Sequence, residues 1–414
     1  MIRHLQFAIR QGLAPWVALP ALVLFCLNAY QRGLLWRGDA FLTVDAQSIP
    51  LFIIGPILVA AVATDTARAS RPGAEHHVAF TRPVMRPYLF VVWSGWLPTL
   101  AVVGLADLLS FTYSATYYFD ASAILPALLQ VGVHAAALLF LVAVGSVLGR
   151  FLPPTLAGLF GAAAGLALIY SDVSRTARHF STMALGGATV PRIGLHYNWR
   201  YQLVQFALLA VLAVVIYFAA PRFAESRTGV SIAIGLALVL VVAAVTVRVD
   251  ALPAQRWVAV SGPTMTCTGN GPQLCLTPQH DHARSTIAAD VDALAAAATT
   301  AGLTDVLPGH IIEMTRSNRA DVDGVNTWGV TLEDAQLRGQ KADLQMFIIN
   351  ALVPKACDDI TPAMDQAITR LASSLIVSAG VTARDVVIGS EEDHVVLGPD
   401  QARAARDTLA RCGR

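Results

Sequence analysis

Seven long apolar runs dominate the first 248 residues of this 414-residue chain. An α-helix needs about 20 predominantly apolar residues to cross a bilayer, with a range of roughly 17–25. The runs that meet this standard are 14–31, 49–65, 88–110, 123–148, 154–171, 201–220 and 230–247. Only 14% of the residues are charged, whereas a typical soluble domain has about 25%. The sequence therefore predicts an α-helical polytopic membrane bundle of about seven transmembrane helices.

The composition changes after Arg248. Residues 250–414 are rich in acids and prolines and contain four of the five cysteines, as an ordinary soluble domain does. The patterning predicts helices at 282–302, 331–352, 361–379 and 399–411, and strands at 257–261, 310–314 and 384–388. We therefore divide the chain into a transmembrane domain, 1–248, and a small α+β domain, 250–414.

Arginine placement predicts the orientation, because Lys and Arg near span ends tend to stay in the cytoplasm. With the N-terminus inside, the inner loops hold nine arginines and the outer loops hold six. Seven spans then leave the second domain outside the cell membrane, where paired cysteines are expected. Its four cysteines allow three pairings. We predict the disulfides Cys267–Cys275 and Cys357–Cys412, because the first pair is close in sequence and the second ties down the C-terminus.

A polar segment separates the second and third apolar runs. It contains four arginines and a glutamate within "ATDTARASRPGAEHHVAFTRPVMRP". One interpretation is a loop that only satisfies the preference for positive charge on the inner side. The pattern also resembles the loop between spans two and three of bacterial ABC exporter permeases of the ABC-two type. In that family the loop forms a coupling helix that docks into the ATPase subunit. The family usually has leucines after the acid, where this chain has His76 and His77.

The resemblance implies a docking site for a partner ATPase on this loop. The residues that match it are Arg68, Arg71, Gly73, Glu75, His76, Arg82 and Arg86. It covers residues 1–220 as a six-helix core and leaves 230–247 as an anchoring seventh helix. It further implies a homodimer, or a heterodimer with a second permease. In the family, short helices that dip into the outer leaflet connect spans five and six. The corresponding segment here is 171–200, for which a simple solvated loop is the alternative.

ATP hydrolysis is not expected in this chain. A P-loop needs Gly-Lys-Ser/Thr, because the lysine reaches the phosphates and the hydroxyl holds magnesium. The two lysines, Lys341 and Lys355, lie in "GQKAD" and "VPKAC". We therefore expect no enzyme and no cofactor in this chain, and ATP and Mg in the partner ATPase.

Several polar residues interrupt the apolar runs. Asp107 lies near the outer end of the third run and His134 about halfway along the fourth, so an antiparallel hairpin brings them near each other. This candidate intramembrane polar pair is either an interhelical hydrogen bond or a step on a substrate path or proton relay. Gly161 and Gly165 form a G-x-x-x-G pattern, which is typical of a dimer face or of close packing within a bundle.

The second domain offers no convincing metal or catalytic site. "QHDHAR" and "SEEDH" supply histidines and acids, but H-E-x-x-H is missing and such loops are usually solvated surface. The formal net charge of +1 gives no argument for nucleic acid. We expect a permease subunit in the lipid bilayer of the cell membrane. The alternative is a membrane-anchored extracytoplasmic binding or sensor protein.

Overall fold

The computed structural model describes most of the two predicted domains. The described ranges are 12–32, 37–69, 86–170, 180–187, 193–223, 255–259, 264–269, 271–315, 326–332, 344–352, 360–382 and 396–409, with residues 318, 322, 336, 385, 386 and 388.

Apolar helices form the N-terminal part. A 3₁₀ turn at Ala14–Val17 leads into the first of them. The helices are α1 (Ala18–Arg32), α2 (Ala40–Ala46), α3 (Leu51–Ala69), α4 (Arg86–Ala115), α5 (Ile124–Phe151), α6 (Pro154–Tyr170) and α7 (Trp199–Phe223).

Six of the seven predicted apolar runs are helical in the described residues, and the seventh, 230–247, lies outside them. Four helical stretches are long and apolar enough to cross a membrane. They are Ala40–Ala69, Val92–Ala115, Ala121–Phe151 and Trp199–Tyr217, while Ala14–Tyr30 and Pro154–Tyr170 are shorter apolar helices. The described residues thus contain a helical region with four candidate spans, and a bundle of seven stays a prediction.

Helix α3 packs between α5 and α6 at very short range, because glycines line the two contacts. A Cβ atom added at Gly149 of α5 would lie 2.1 Å from the Ala63 backbone oxygen of α3. Added at Gly165 of α6, it would lie 2.7 Å from the Pro56 Cα atom. The G-x-x-x-G pattern of Gly161 and Gly165 therefore serves a contact within the bundle.

The outward faces of these helices are apolar. Leu108 is 62% exposed, Leu128 is 62% exposed and Leu159 is 68% exposed, on three different helices. Large apolar side chains that are exposed on several helices are compatible with contact to lipid. The polar side chains lie inside the bundle instead.

The described residues of the C-terminal part form a four-stranded sheet and four α-helices. Its strands are β3 (Thr266–Thr268), β4 (Gln273–Leu276), β5 (His310–Glu313) and β6 (Thr327–Val330), in that spatial order. The β3–β4 pair is antiparallel, and the next two pairs are parallel. The helices are α8 (Arg284–Thr300), α9 (Leu344–Leu352), α10 (Pro362–Ser378) and α11 (Pro399–Leu409).

Two further strands tie this part to the bundle. Strand β1 (Leu195–Tyr197) precedes α7 and pairs antiparallel with β2 (Trp257–Ala259). The strand predicted at 257–261 therefore pairs with β1 beside α7 and does not join the four-stranded sheet.

One strand that the sequence predicts is not observed, and one observed strand is not predicted by the sequence. Asp385, Val386 and Ile388 are described and lie in no strand, so the prediction at 384–388 is wrong there. Strand β6 was missed, because Trp328 and Val330 alternate with the small Gly329 over only four residues. Trp328 is fully buried in the core with Ile287, Phe347 and Leu371, and this long-range packing fixes the strand.

Candidate functional site

The Asp107 and His134 side chains are in contact inside the bundle. His134 Nδ1 lies 3.2 Å from Asp107 Oδ2, and both side chains are almost completely buried. Asp107 lies on α4 and His134 on α5, so the contact joins two neighbouring antiparallel helices. The structure thus brings together the two residues that the sequence singled out.

The other ring nitrogen of His134 meets two polar side chains. Its Nε2 atom lies 3.0 Å from Ser48 Oγ and 3.1 Å from Gln130 Nε2. Polar side chains therefore contact both nitrogens of the His134 ring and hold it in place between α4 and the Ser48 and Gln130 side chains.

A non-helical segment, Phe180–Gly187, is buried next to this cluster. Its Leu185 carbonyl accepts hydrogen bonds from Ser48 Oγ at 2.7 Å, Gln130 Nε2 at 2.7 Å and Arg256 Nη2 at 3.0 Å. Irregular backbone at membrane depth is tolerated only where protein groups satisfy it. We call Ser48, Asp107, Gln130 and His134 the polar cluster. Through Ser48 and Gln130 it holds this segment in place by hydrogen bonds.

Helix α7 binds the start of the same segment. Gln205 Nε2 donates to the Thr182 carbonyl at 2.9 Å and to the Ala184 carbonyl at 3.2 Å. The Tyr201 hydroxyl donates to the Ser181 carbonyl at 2.9 Å and accepts from the Ser181 amide at 3.0 Å. The solvated loop considered for this part of 171–200 is thus wrong for residues 180–187, which also contain no helix.

Gly186 lets the segment approach the bundle closely. Its φ is +137°, and an added Cβ atom would lie 2.2 Å from Ser48 Oγ. A side chain at this position would meet both a strained backbone conformation and a steric clash. Glycine is thus required where the segment passes the polar cluster.

A buried ion pair lies next to the segment, at the end of the bundle that is nearer to the C-terminal domain. Arg256 Nη2 lies 2.7 Å from Asp45 Oδ1, which also accepts a hydrogen bond from the Tyr197 hydroxyl at 3.3 Å. Burial and the Asp45 charge raise the pKa of Tyr197 well above 10, so Tyr197 stays a neutral donor. The Gly187 amide donates to the Asp45 carbonyl at 3.0 Å. Asp45 therefore anchors the buried segment and the β1–β2 ribbon together.

A second set of hydrogen bonds joins α1, the α2–α3 junction and α4. Asn28 Nδ2 donates to the Ala46 carbonyl at 3.1 Å, and Gln47 Nε2 donates to Ser110 Oγ at 2.6 Å. The Asn28 side chain lies 3.4 Å from that of Gln47. These are interhelical hydrogen bonds of the ordinary kind.

Three acceptor atoms inside the bundle have no hydrogen-bond partner within the described part of the chain. They are Asp107 Oδ1, Gln202 Oε1 and Gln205 Oε1, and each is fully buried. Buried polar atoms are normally paired, so each such atom needs an explanation. The bundle interior therefore contains more acceptor atoms than the hydrogen bonds among the described residues satisfy.

The predicted docking residues fall mostly outside the described residues. Arg68 is exposed in the last turn of α3, and Arg86 begins α4. Arg71, Gly73, Glu75, His76 and Arg82 lie outside the described residues. Asp65, which precedes them, accepts hydrogen bonds from the Leu13 and Ala14 amides at 2.7 and 2.8 Å. Asp65 thus caps the N-terminal 3₁₀ turn.

The histidines of "QHDHAR" lie at the junction between the two parts of the chain. His280 is buried, and its Nδ1 atom lies 2.6 Å from Glu313 Oε1. His282 packs against the Tyr117 ring, with a centroid distance of 4.9 Å. The expectation of solvated surface is therefore wrong for His280, since Glu313 of β5 holds it inside the fold.

One of the two predicted disulfides is confirmed. Cys267 and Cys275 form the predicted disulfide across the β3–β4 hairpin. Cys357 and Cys412 lie outside the described residues. Among the described residues, one group of potential metal ligands comes together, namely Cys267, Cys275 and His310. The disulfide occupies both sulfurs of this group.

Several residues of the site were missed at the level of sequence. Gln130, Gln202 and Gln205 interrupt predicted apolar runs, and this interruption was the signal that could have found them. Ser48 and Arg256 lie outside the runs, in segments without any pattern.

A scan of protein-family models, a search of curated proteins and a search of solved structures find no match to the chain.

Proposed function

We propose that this chain is the membrane-spanning permease subunit of an ABC exporter of the ABC-two type, working with a separate cytoplasmic ATPase. The observation that carries the proposal is the polar cluster and the non-helical segment that it braces, enclosed in a bundle with an apolar exterior. Polar groups and broken backbone at this depth are expensive, and in membrane proteins they commonly mark a transport path.

The positions of the described ends support the expected topology. Gln279 and His282 contact Gly38 and Tyr117, at the end of the bundle opposite to Ala69 and Arg86. Ala69 and Arg86, the described residues that flank the proposed docking segment, therefore lie at the end of the bundle opposite to the C-terminal domain. This arrangement is what an ATPase on the inner side and a domain on the outer side require.

The seventh predicted span gains support from the same geometry. Helix α7 begins beside the β1–β2 ribbon and extends through 25 residues to Phe223, which is a rise of about 37 Å. Strand β2 then lies back at the starting end. Phe223 and Gln255, the described residues on either side, thus lie toward opposite ends of α7, as a seventh span at 230–247 requires.

Docking of the ATPase tests the proposal. The full chain is expressed with an ABC ATPase encoded beside it and purified through a tag on the chain. We expect the ATPase to co-purify, and a chain carrying Arg71→Glu and Glu75→Arg to lose most of it. Charge reversal at Arg200, at the opposite end of the bundle, is the matched control and should leave association unchanged. Equal recovery of the ATPase with all three chains would refute docking at this loop.

The alternative is a membrane-anchored binding or sensor protein. A sensor needs one or two anchoring helices and no polar interior. Deletion of residues 264–414, which keeps strand β2 and the Asp45–Arg256 ion pair, distinguishes the two functions if ATPase association is measured. A permease keeps the association, because its docking loop lies at the other end of the bundle.

A further inference from the structure

A cavity of about 530 Å³ lies between the beginning of α3, the end of α6 and the buried segment. Ile49, Phe52 and Ile53 form one wall, Ile169 and Tyr170 another, and Met183–Gly187 the third. Pockets that enclose small ligands usually measure about 300–1,000 Å³. The cavity is thus large enough for a ligand and mostly apolar.

The cavity borders the outward surface of the bundle. Ile53 is 50% exposed and Tyr170 is 46% exposed, and both continue the apolar outer faces of α3 and α6. In a bilayer this surface contacts acyl chains. A hydrocarbon chain can therefore enter between α3 and α6 without crossing water.

Arg256 is the one charged residue among those that line the cavity. Its Nη2 atom makes the bonds to Asp45 and Leu185, so neither bond uses Nη1. The Arg256 side chain keeps 13% of its surface exposed, whereas Asp45 is completely buried beneath it. The accessible edge of this ion pair is therefore the cation, and a guanidinium binds phosphate oxygens well.

We infer that this cavity binds an anionic phospholipid of the bilayer, with one acyl chain between α3 and α6 and the phosphate at Arg256. The inference goes beyond the proposed function, because binding requires neither the ATPase nor transport. The lipid would contact Met183–Gly187, whose Leu185 carbonyl is held by Ser48 and Gln130. A lipid in the cavity would thus contact the segment that is hydrogen-bonded to the polar cluster.

Photolabelling of the full chain in detergent tests the inference. The probe is phosphatidylglycerol with a photoreactive group in one acyl chain. We expect labelled peptides that contain Ile169–Tyr170 or Met183–Gly187. Unlabelled phosphatidylglycerol should compete, whereas diacylglycerol, which has no phosphate, should not. A free fatty acid as the better competitor would show a carboxylate ligand and overturn the assignment to a phospholipid.

Two variants locate the ligand. Arg256→Gln removes the cation and should lower labelling about tenfold, since hydrogen bonds to charged groups are among the stronger ones. Ala184→Phe fills the cavity without changing its charge and should lower labelling equally. The second variant keeps the Asp45–Arg256 pair, so it reports on the cavity even if the first one folds poorly. Arg200→Gln, an exposed arginine near the same end of the bundle, is the control.

Two results would contradict lipid binding in the cavity. If Ala184→Phe labels like the unaltered chain, the acyl chain does not occupy the cavity. If labels spread only over the exposed faces around Leu108 and Leu128, the probe reports the general lipid boundary. Either result overturns the site and leaves ATPase docking unaffected.

Discussion

Arg256 Nη2 lies 2.7 Å from Asp45 Oδ1, so a residue that follows the predicted seventh span is bonded to the segment that precedes α3. The same guanidinium donates to the Leu185 carbonyl of the buried segment. Three parts of the chain that are distant in sequence therefore meet at one ion pair, at the end of the bundle that faces the C-terminal domain.

The first prediction concerns this ion pair. Asp45→Asn or Arg256→Gln leaves a buried charge without its partner, and each should destabilise the chain by about 3–5 kcal/mol. The double variant removes both charges, so its cost should be clearly smaller than the sum of the single costs. Thermal unfolding in detergent measures all three. Additive losses would mean that the two side chains do not interact.

The second prediction concerns the polar cluster. His134→Ala leaves the buried Asp107 carboxyl without its His134 partner, at a cost of about 1–3 kcal/mol. Asp107→Asn keeps an oxygen that can accept the His134 Nδ1 proton, so it should cost less than His134→Ala. Leu128→Ala, on the exposed face of the same helix, is the control. A larger loss for Asp107→Asn than for His134→Ala would contradict a hydrogen bond between His134 Nδ1 and Asp107.

The third prediction is a pH dependence from His280 and Glu313. Burial disfavours the charge on His280, but the Glu313 carboxylate outweighs it and raises the His280 pKa above 6.5. Burial likewise opposes the charge on Glu313, yet His280 and the Thr277 hydrogen bonds lower its pKa below 4.5. The His280 contribution is complete below pH 6.5 and is lost as pH rises through its raised pKa. The Glu313 contribution is complete above pH 4.5 and is lost as pH falls through its lowered pKa.

Stability from this pair should therefore be greatest between about pH 4.5 and 6.5. Thermal unfolding of the full chain at about pH 5.5, inside this window, and at about pH 8.5, above it, measures the difference. Glu313→Gln should reduce it, while Asp281→Asn, which alters a partly exposed pair with Arg284, should not. A pH profile that is the same with and without Glu313→Gln would exclude the pair as its source.

The fourth prediction concerns the cysteines. The Cys267–Cys275 disulfide closes a loop with a sequence separation of 8, for which chain entropy predicts about 2–3 kcal/mol. Replacing both cysteines with serine should lower the unfolding temperature of the β3–β4 hairpin region. Peptide mapping without reduction should show this link and a second one, Cys357–Cys412. A peptide that joins Cys267 or Cys275 to Cys357 would contradict the pairing.

Local patterns predicted the helices well and the polar contacts poorly. Apolar length alone located α4, α5 and α7, because a run that fits a bilayer has few alternatives. Asp107 and His134 stood out because a charge or an imidazole is costly inside such a run. Arg256 gave no signal, since its partner Asp45 lies far away in sequence and only the folded bundle brings them together.

The buried segment shows the same limit. "FSTMALGG" is polar enough to read as a loop, and Gly186 and Gly187 favour that interpretation. Its burial depends on donors from Ser48, Gln130 and Gln205, which lie on three other elements. No local property of the segment contains that information.

We propose that a membrane separates the docking loop around Glu75 from the C-terminal domain. Single cysteines at Glu75 and at the exposed Thr304, in a chain whose Cys26, Cys357 and Cys412 are replaced, can be labelled in intact cells with a membrane-impermeant maleimide. We predict that the cysteine at position 304 is labelled at once and the one at position 75 only after the cells are broken. Equal labelling of both positions in intact cells would contradict the account.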